Sequence, residues 1–156
     1  MKVLLIIPAC NEEGNILSVV NSIKNFSDEI DYIVINDGSK DNTLKILKEN
    51  NINHVNLIYN LGIGGAVQTG YKYAYKNNYD IAIQFDGDGL HDINYIQAIC
   101  EPIINNQADM CIGSRYIDNS TSGFKSTFMR RLRKKHYISY NKIILEAKNN
   151  RSNLRF

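Results

Sequence analysis

Five short runs of β-branched, leucine and aromatic residues recur along this chain, at 3–7, 32–35, 55–59, 81–85 and 110–112. Each is too short for a helix. The first, Val3-Leu4-Leu5-Ile6-Ile7, is apolar at every position, as a strand covered on both faces of a parallel sheet must be. Between the runs the apolar period changes. Ile16, Val19, Val20 and Ile23, then Leu44 and Leu47, then 66–75 and 96–104 follow the spacing of helices with one buried face. This alternation predicts an α/β fold, a mainly parallel Rossmann-like sheet flanked by helices. Ser39 or Asp41 can cap the second helix, and Asn50-Asn51 can end it with a residue that tolerates left-handed backbone.

Right-handed crossovers place the C-terminal ends of such strands along one edge, where ligands of these sheets bind. The residues that follow the runs are chemically loaded: Asn11-Glu12-Glu13, Asn36-Asp37-Gly38, Asn60-Leu61-Gly62 and Asp86-Gly87-Asp88.

With 156 residues and 44% hydrophobic content, the chain is large enough for one domain with a core. The first apolar run meets Pro8 and then Asn11-Glu12-Glu13, too early for a secretory leader. No segment approaches the roughly 18 apolar residues of a membrane span, so a cytoplasmic protein is expected. Cys10, Cys100 and Cys111 are odd in number and widely spaced, which argues for buried reduced thiols over a disulfide framework or a zinc site. Charge divides the chain: residues 1–129 carry 9 Lys/Arg and 15 Asp/Glu, a net of −6, whereas 130–156 carry 9 and 1, a net of +8. The expected organisation is a ligand-binding domain over 1–129 and a basic tail over 130–156, with a helix near 129–147 and a disordered end.

In Asp86-Gly87-Asp88-Gly89 two carboxylates flank a glycine at the end of an apolar strand. Two hard oxygen donors so placed suit Mg²⁺ or Mn²⁺, which can bridge a diphosphate; the alternative is a solvated turn. His91, three residues on, can ligate the metal or touch phosphate. Asp37, emerging from a strand before a helix, can accept hydrogen bonds from a base or a ribose, or can cap that helix. The glycines Gly62, Gly64 and Gly65 resemble a phosphate-cradling turn, although close packing against neighbouring backbone explains them as well. Arg115 in Gly113-Ser114-Arg115-Tyr116 can fork onto a phosphate or pair with the acidic edge.

Taken in order and spacing, Pro8-Ala9-Cys10-Asn11-Glu12-Glu13, the stretch from Asn36 to Thr43, Asn60-Leu61-Gly62, Asp86-Gly87-Asp88-Gly89-Leu90-His91 and Gly113-Ser114-Arg115-Tyr116 resemble the family 2 glycosyltransferases. The likeness spans residues 1–116 and is strongest to the dolichol-phosphate mannosyltransferase and undecaprenyl-phosphate sugar transferase subgroup. It implies a GT-A fold, with Pro8, Ala9, Asn11, Glu12, Asp37, Asn60, Gly62 and Asp86 on the nucleotide. It also implies Asp86 and Asp88 on the metal, and Gly87, His91 and Arg115 near the donor's phosphates or sugar. The activity implied is metal-dependent transfer, with inversion, from a UDP- or GDP-sugar to a polyprenyl phosphate or a cell-surface glycan. Leu90 stands where relatives often carry Gln, and residues 133–156 no longer look familial. The chain is therefore expected to be truncated or to carry an unrelated tail, which leaves a nucleotide-sugar- and metal-binding module without transferase activity as the alternative.

No catalytic base stands out, and an anionic lipid-phosphate acceptor has less need of one. A sugar-phosphate nucleotidyltransferase is disfavoured, since Ala9-Cys10-Asn11-Glu12 holds the place of its glycine-rich basic loop. The basic tail suits either a solvated, partly disordered end or peripheral contact with anionic lipid at the inner face of a membrane; nucleic acid is disfavoured, because the body is acidic.

Overall fold

A computed structural model describes residues 1–27 and 30–113. Four strands, β1 (Val3–Ala9), β2 (Asp31–Asp37), β3 (His54–Leu57) and β4 (Ile81–Gln84), form one parallel sheet in the order β3-β2-β1-β4. They alternate with α1 (Ile16–Phe26), α2 (Thr43–Glu49), α3 (Gly62–Lys76) and α4 (Ile96–Ile104), the last preceded by a 3₁₀ turn at Ile93–Tyr95.

The pleat of β1 explains why its first run is wholly apolar. Leu5, Ile7 and Ala9 join Ile16, Val19, Val20 and Ile23 of α1, Leu47 of α2 and Ile96 and Cys100 of α4 in one core. Leu4 and Ile6 point to the other face, where they meet Ile33, Ile35 and, from α3, Ala66 and Ala74. The sheet is thus sandwiched between two apolar layers. α3 packs so closely that a Cβ on Gly70 would lie 2.2 Å from Cγ2 of Ile6.

Pro8 occupies a central strand without breaking it. The carbonyl of Ile6 faces β4, where it accepts from Phe85 N–H, so two residues later the missing N–H of Pro8 also faces β4. The β1–β4 register ends at Ile6↔Gln84, so no ladder bond is lost there, while Pro8 still pairs with Ile35 on the other side.

Three expectations need correction. Residues 110–112 form no strand: they join no ladder among the described residues, and Met110 and Ile112 are 74% and 72% exposed. A three-residue apolar run has too few ladder bonds to form a strand without a well-matched neighbour. β3 ends at Leu57, not at Tyr59, because its partner β2 ends at Asp37, which pairs with Leu57, and Gly38 then turns away at φ +62°. Cys10 is exposed, since it lies one residue past the end of β1, whereas Cys100 is buried and Cys111 is half-buried. Asn51 does end α2's turn at φ +49°. No helix among the described residues is long and apolar enough to cross a membrane. The fifth-strand loop with Arg115, the 1–129/130–156 division and the tail helix lie outside the described residues.

Candidate functional site

With order β3-β2-β1-β4, successive strands run to one side of β1 until β4 appears on the other. The crevice above the C-terminal ends of β1 and β4 is therefore the topological switch point of the sheet. The loops that follow the four strands meet around it.

The loop after β1 is held by its neighbours rather than by its own turns. Asn11, at φ +58°, donates its N–H to Ser39 Oγ at 3.0 Å and accepts Lys40 N–H on Oδ1 at 2.8 Å. Ser39 in turn donates to Asn36 Oδ1, and buried Asn36 donates to Asn56 Oδ1 at 2.6 Å. Glu12 N–H reaches Thr43 Oγ1 at 2.9 Å, and Glu13 accepts the N–H and side-chain amide of Asn42 at 2.9 and 2.8 Å. Neither cap candidate is the N-cap of α2, which is Asn42 and makes no side-chain cap bond, but Asp41, one residue before it, braces the first turn. Its Oδ1 accepts Thr43 N–H at 3.0 Å and the Thr43 hydroxyl at 2.6 Å, and its Oδ2 accepts Glu13 N–H at 3.1 Å.

Partial burial pushes the Asp41 carboxyl up, but the bonds from Thr43 and Glu13 outweigh it and hold the group below its ordinary 3.8. A carboxyl so depressed adds stability that is complete above pH 3.8 and is lost as pH falls through the lower native value. Asp41→Asn is therefore expected to flatten the acid limb of stability. Urea midpoints between pH 2 and 6 should fall less steeply for Asp41→Asn than for the wild type, and parallel curves would refute this.

Asp37 is 3% exposed, and its Oδ1 accepts Leu61 N–H at 2.7 Å at the start of α3. Asn60 joins three loops: its amide reaches the Asp37 carbonyl at 3.2 Å and Cys10 Sγ at 3.1 Å, while its Oδ1 accepts Gly62 N–H at 3.0 Å. The glycines of this segment differ in their reasons. Gly62 is at φ +76° with open space around it, Gly64 is also open, and a Cβ on Gly65 would meet the Leu61 side chain at 2.5 Å. Close approach to neighbouring backbone explains none of the three.

The loop after β4 leans on the end of β1. Gly87 is buried, and a Cβ there would sit 3.1 Å from the Pro8 carbonyl, which faces the same crevice. On either side of it, Asp86 is half-buried and Asp88 is exposed. Asp86 Oδ1 accepts from Gln84 Nε2 at 3.0 Å, and Oδ2 lies 3.4 Å from His91 Nε2. Asp86 N–H meets His91 Nδ1 at 3.2 Å, and Asp88 Oδ1 accepts Leu90 N–H at 2.9 Å. Sequence reasoning missed Gln84 altogether, although an amide interrupting an apolar strand two residues before Asp86 was a signal, and it named Asn36, Ser39 and Thr43 without their bracing roles.

Among the described residues no three His, Cys, Asp or Glu side chains gather closely enough to enclose a metal. Two carboxylates beside an open crevice suit a hard cation that completes its shell with phosphate and water, the usual arrangement for Mg²⁺. The donor set fits a shared metal, not a caged one.

The profile of glycosyl transferase family 2 matches residues 4–153. The chain belongs to that family. Its family 2 relatives include a UDP-N-acetylglucosamine–dolichyl-phosphate N-acetylglucosaminyltransferase from Methanococcus voltae, 39% identical over 72% of this chain and 51% of that protein. A polyprenol monophosphomannose synthase from Mycolicibacterium smegmatis is 25% identical over 77% of this chain and 47% of its own length. The chain thus spans about half the length of the curated relatives it matches. Among solved structures, glucosyl-3-phosphoglycerate synthase from Mycobacterium tuberculosis, in complex with Mn²⁺, uridine diphosphate and glucosyl-3-phosphoglycerate, superposes with a TM-score of 0.53. It is 24% identical and covers 65% of this chain and 39% of that one. The GT-A expectation for the fold holds.

Proposed function

We propose that this domain binds a nucleoside diphosphate sugar in the crevice between the ends of β1 and β4, as the donor half of an inverting, metal-dependent glycosyltransferase. The observation that carries the reading is the Asp86-Gly87-Asp88 turn seated on the Pro8 carbonyl at the switch point. Asp86 and Asp88 would hold Mn²⁺ or Mg²⁺. Such an ion, when bound, neutralises charge on the departing diphosphate. Pro8, Ala9, Asn11, Glu12, Asp37, Asn60 and Gly62 would form the nucleotide side of the crevice, with Gly87 toward the phosphates. UDP is favoured over GDP by the named donor of the Methanococcus relative and by the uridine diphosphate of the solved synthase. A polyprenyl-phosphate acceptor is favoured by the names of both curated relatives. The basic segment 130–156 supports peripheral attachment to anionic lipid, where such an acceptor resides.

Calorimetric titration of the whole chain with UDP and GDP, with and without Mn²⁺, tests the donor site. Heat from UDP only when Mn²⁺ is present is expected, whereas folded protein that binds neither nucleotide would sink the proposal. Transfer from a UDP-sugar to a polyprenyl phosphate would establish the enzyme. Binding without transfer would favour a donor-binding module.

A further inference from the structure

We propose that His91 is a positioning residue for Asp86, and not itself a ligand to the metal or a contact to phosphate. The inference rests on the reading of Asp86 and Asp88 as the metal site. Its warrant is the bond that the imidazole makes to the main chain of Asp86. Nδ1 faces the N–H of Asp86 at 3.2 Å, so it is the acceptor and carries no hydrogen. In the neutral ring the hydrogen is then on Nε2, which lies beside Asp86 Oδ2 at 3.4 Å. A metal-binding nitrogen needs a free lone pair. The one lone pair of this ring is committed to a backbone amide, and the other nitrogen carries the hydrogen, so neither nitrogen is free for a metal.

The ring is also fixed from behind. It packs edge-on against Phe85, with centroids 5.6 Å apart and planes at 79°, and Phe85 is buried in the core that α1 and α4 share. His91 thus ties the main chain of Asp86 to the core with one rigid side chain that lies against its carboxylate. Gln84 steadies the other carboxylate oxygen at 3.0 Å. A carboxylate offers about four lone-pair directions, so both oxygens keep capacity for a cation after these bonds. Asp88, by contrast, is exposed, and its Oδ1 accepts Leu90 N–H within the same turn. The pair is asymmetric: a preset Asp86 and a more adaptable Asp88.

The variants that separate positioning from ligation are His91→Ala, His91→Asn and His91→Gln. Asparagine places an oxygen where Nδ1 lies, so it can accept Asp86 N–H; glutamine reaches only the place of Nε2. Mn²⁺ binding to the whole chain in the presence of UDP is followed by electron paramagnetic resonance. His91→Ala is expected to weaken Mn²⁺ by about 10- to 100-fold, the usual effect of removing a group that orients a metal ligand. His91→Asn should recover most of that loss and His91→Gln little of it. The spin-echo modulation of bound Mn²⁺ should carry no coupling to a histidine nitrogen. Such a coupling in the wild type, or His91→Ala binding Mn²⁺ as tightly as the wild type, would overturn the positioning role and leave the donor site standing. A wild-type chain with no UDP-dependent Mn²⁺ binding would overturn the donor site and this inference with it.

Discussion

Asp86→Ala is expected to lower Mn²⁺-dependent affinity for UDP by at least about 100-fold, because a metal that bridges carboxylate and diphosphate supplies several kcal/mol. Two effects combine at this position. The substitution removes one of the two charges that would hold the cation, and it frees Gln84 and His91, which are both organised around that carboxylate. Asp86→Asn separates the effects, since the amide oxygen can still accept from Gln84 while the charge is gone. If charge dominates, Asp86→Asn should be nearly as impaired as Asp86→Ala. Asp88→Ala should show a similar loss of metal-dependent binding with an unchanged melting temperature, because Asp88 is exposed and its bond to Leu90 N–H stays within its own turn. Calorimetry with and without Mn²⁺ measures both. Wild-type affinity in Asp86→Ala/Asp88→Ala would remove these residues from the metal site.

Gly38→Ala is expected to destabilise the domain by about 2–5 kcal/mol. Gly38 sits at φ +62°, where an L side chain adds about 1–2 kcal/mol. The new Cβ would also stand 2.7 Å from Asn60 N and 2.9 Å from Tyr59 C. These are main-chain atoms that no rotamer change can move, and overpacking of this kind costs about 1–3 kcal/mol more. Against a domain stability of about 5–15 kcal/mol the loss is large. It should appear in urea unfolding as a lower midpoint with an unchanged slope. An unchanged midpoint would mean that the loops after β2 and β3 do not touch in solution. UDP binding should suffer too, since Asn60 links those loops to Cys10.

Much of this arrangement was legible because parallel strands covered on both faces leave long apolar runs. The α1 face at Ile16, Val19, Val20 and Ile23 was read from period alone, and all four are buried. The polar residues after each run marked the ligand edge, since few interior positions would tolerate such a sequence as Asn11-Glu12-Glu13. Three kinds of feature were not legible. Residues 110–112 are apolar like the strands, but a strand is a relation between two segments and the run alone does not contain its partner. Cys10 follows apolar Ala9, and the end of β1 between them leaves no mark in the sequence. The ties made by Ser39, Thr43 and Gln84 depend on which loops meet, and uncharged polar side chains look the same whether they brace a site or face water.

The loops that meet at the switch point carry Glu12, Glu13, Asp37, Asp41, Asp86 and Asp88, against Lys40 as the one Lys or Arg in those described segments. A site intended for a polyanion is thus itself anionic, and a bare nucleotide approaching it is repelled. Raising ionic strength would screen that repulsion and speed the approach, opposite to the behaviour of a phosphate site lined with lysine and arginine. On the proposed donor reading, the sign of the edge would set an order of arrival: the divalent cation would come first or travel with the diphosphate, and cellular metal supply would become a control on donor loading.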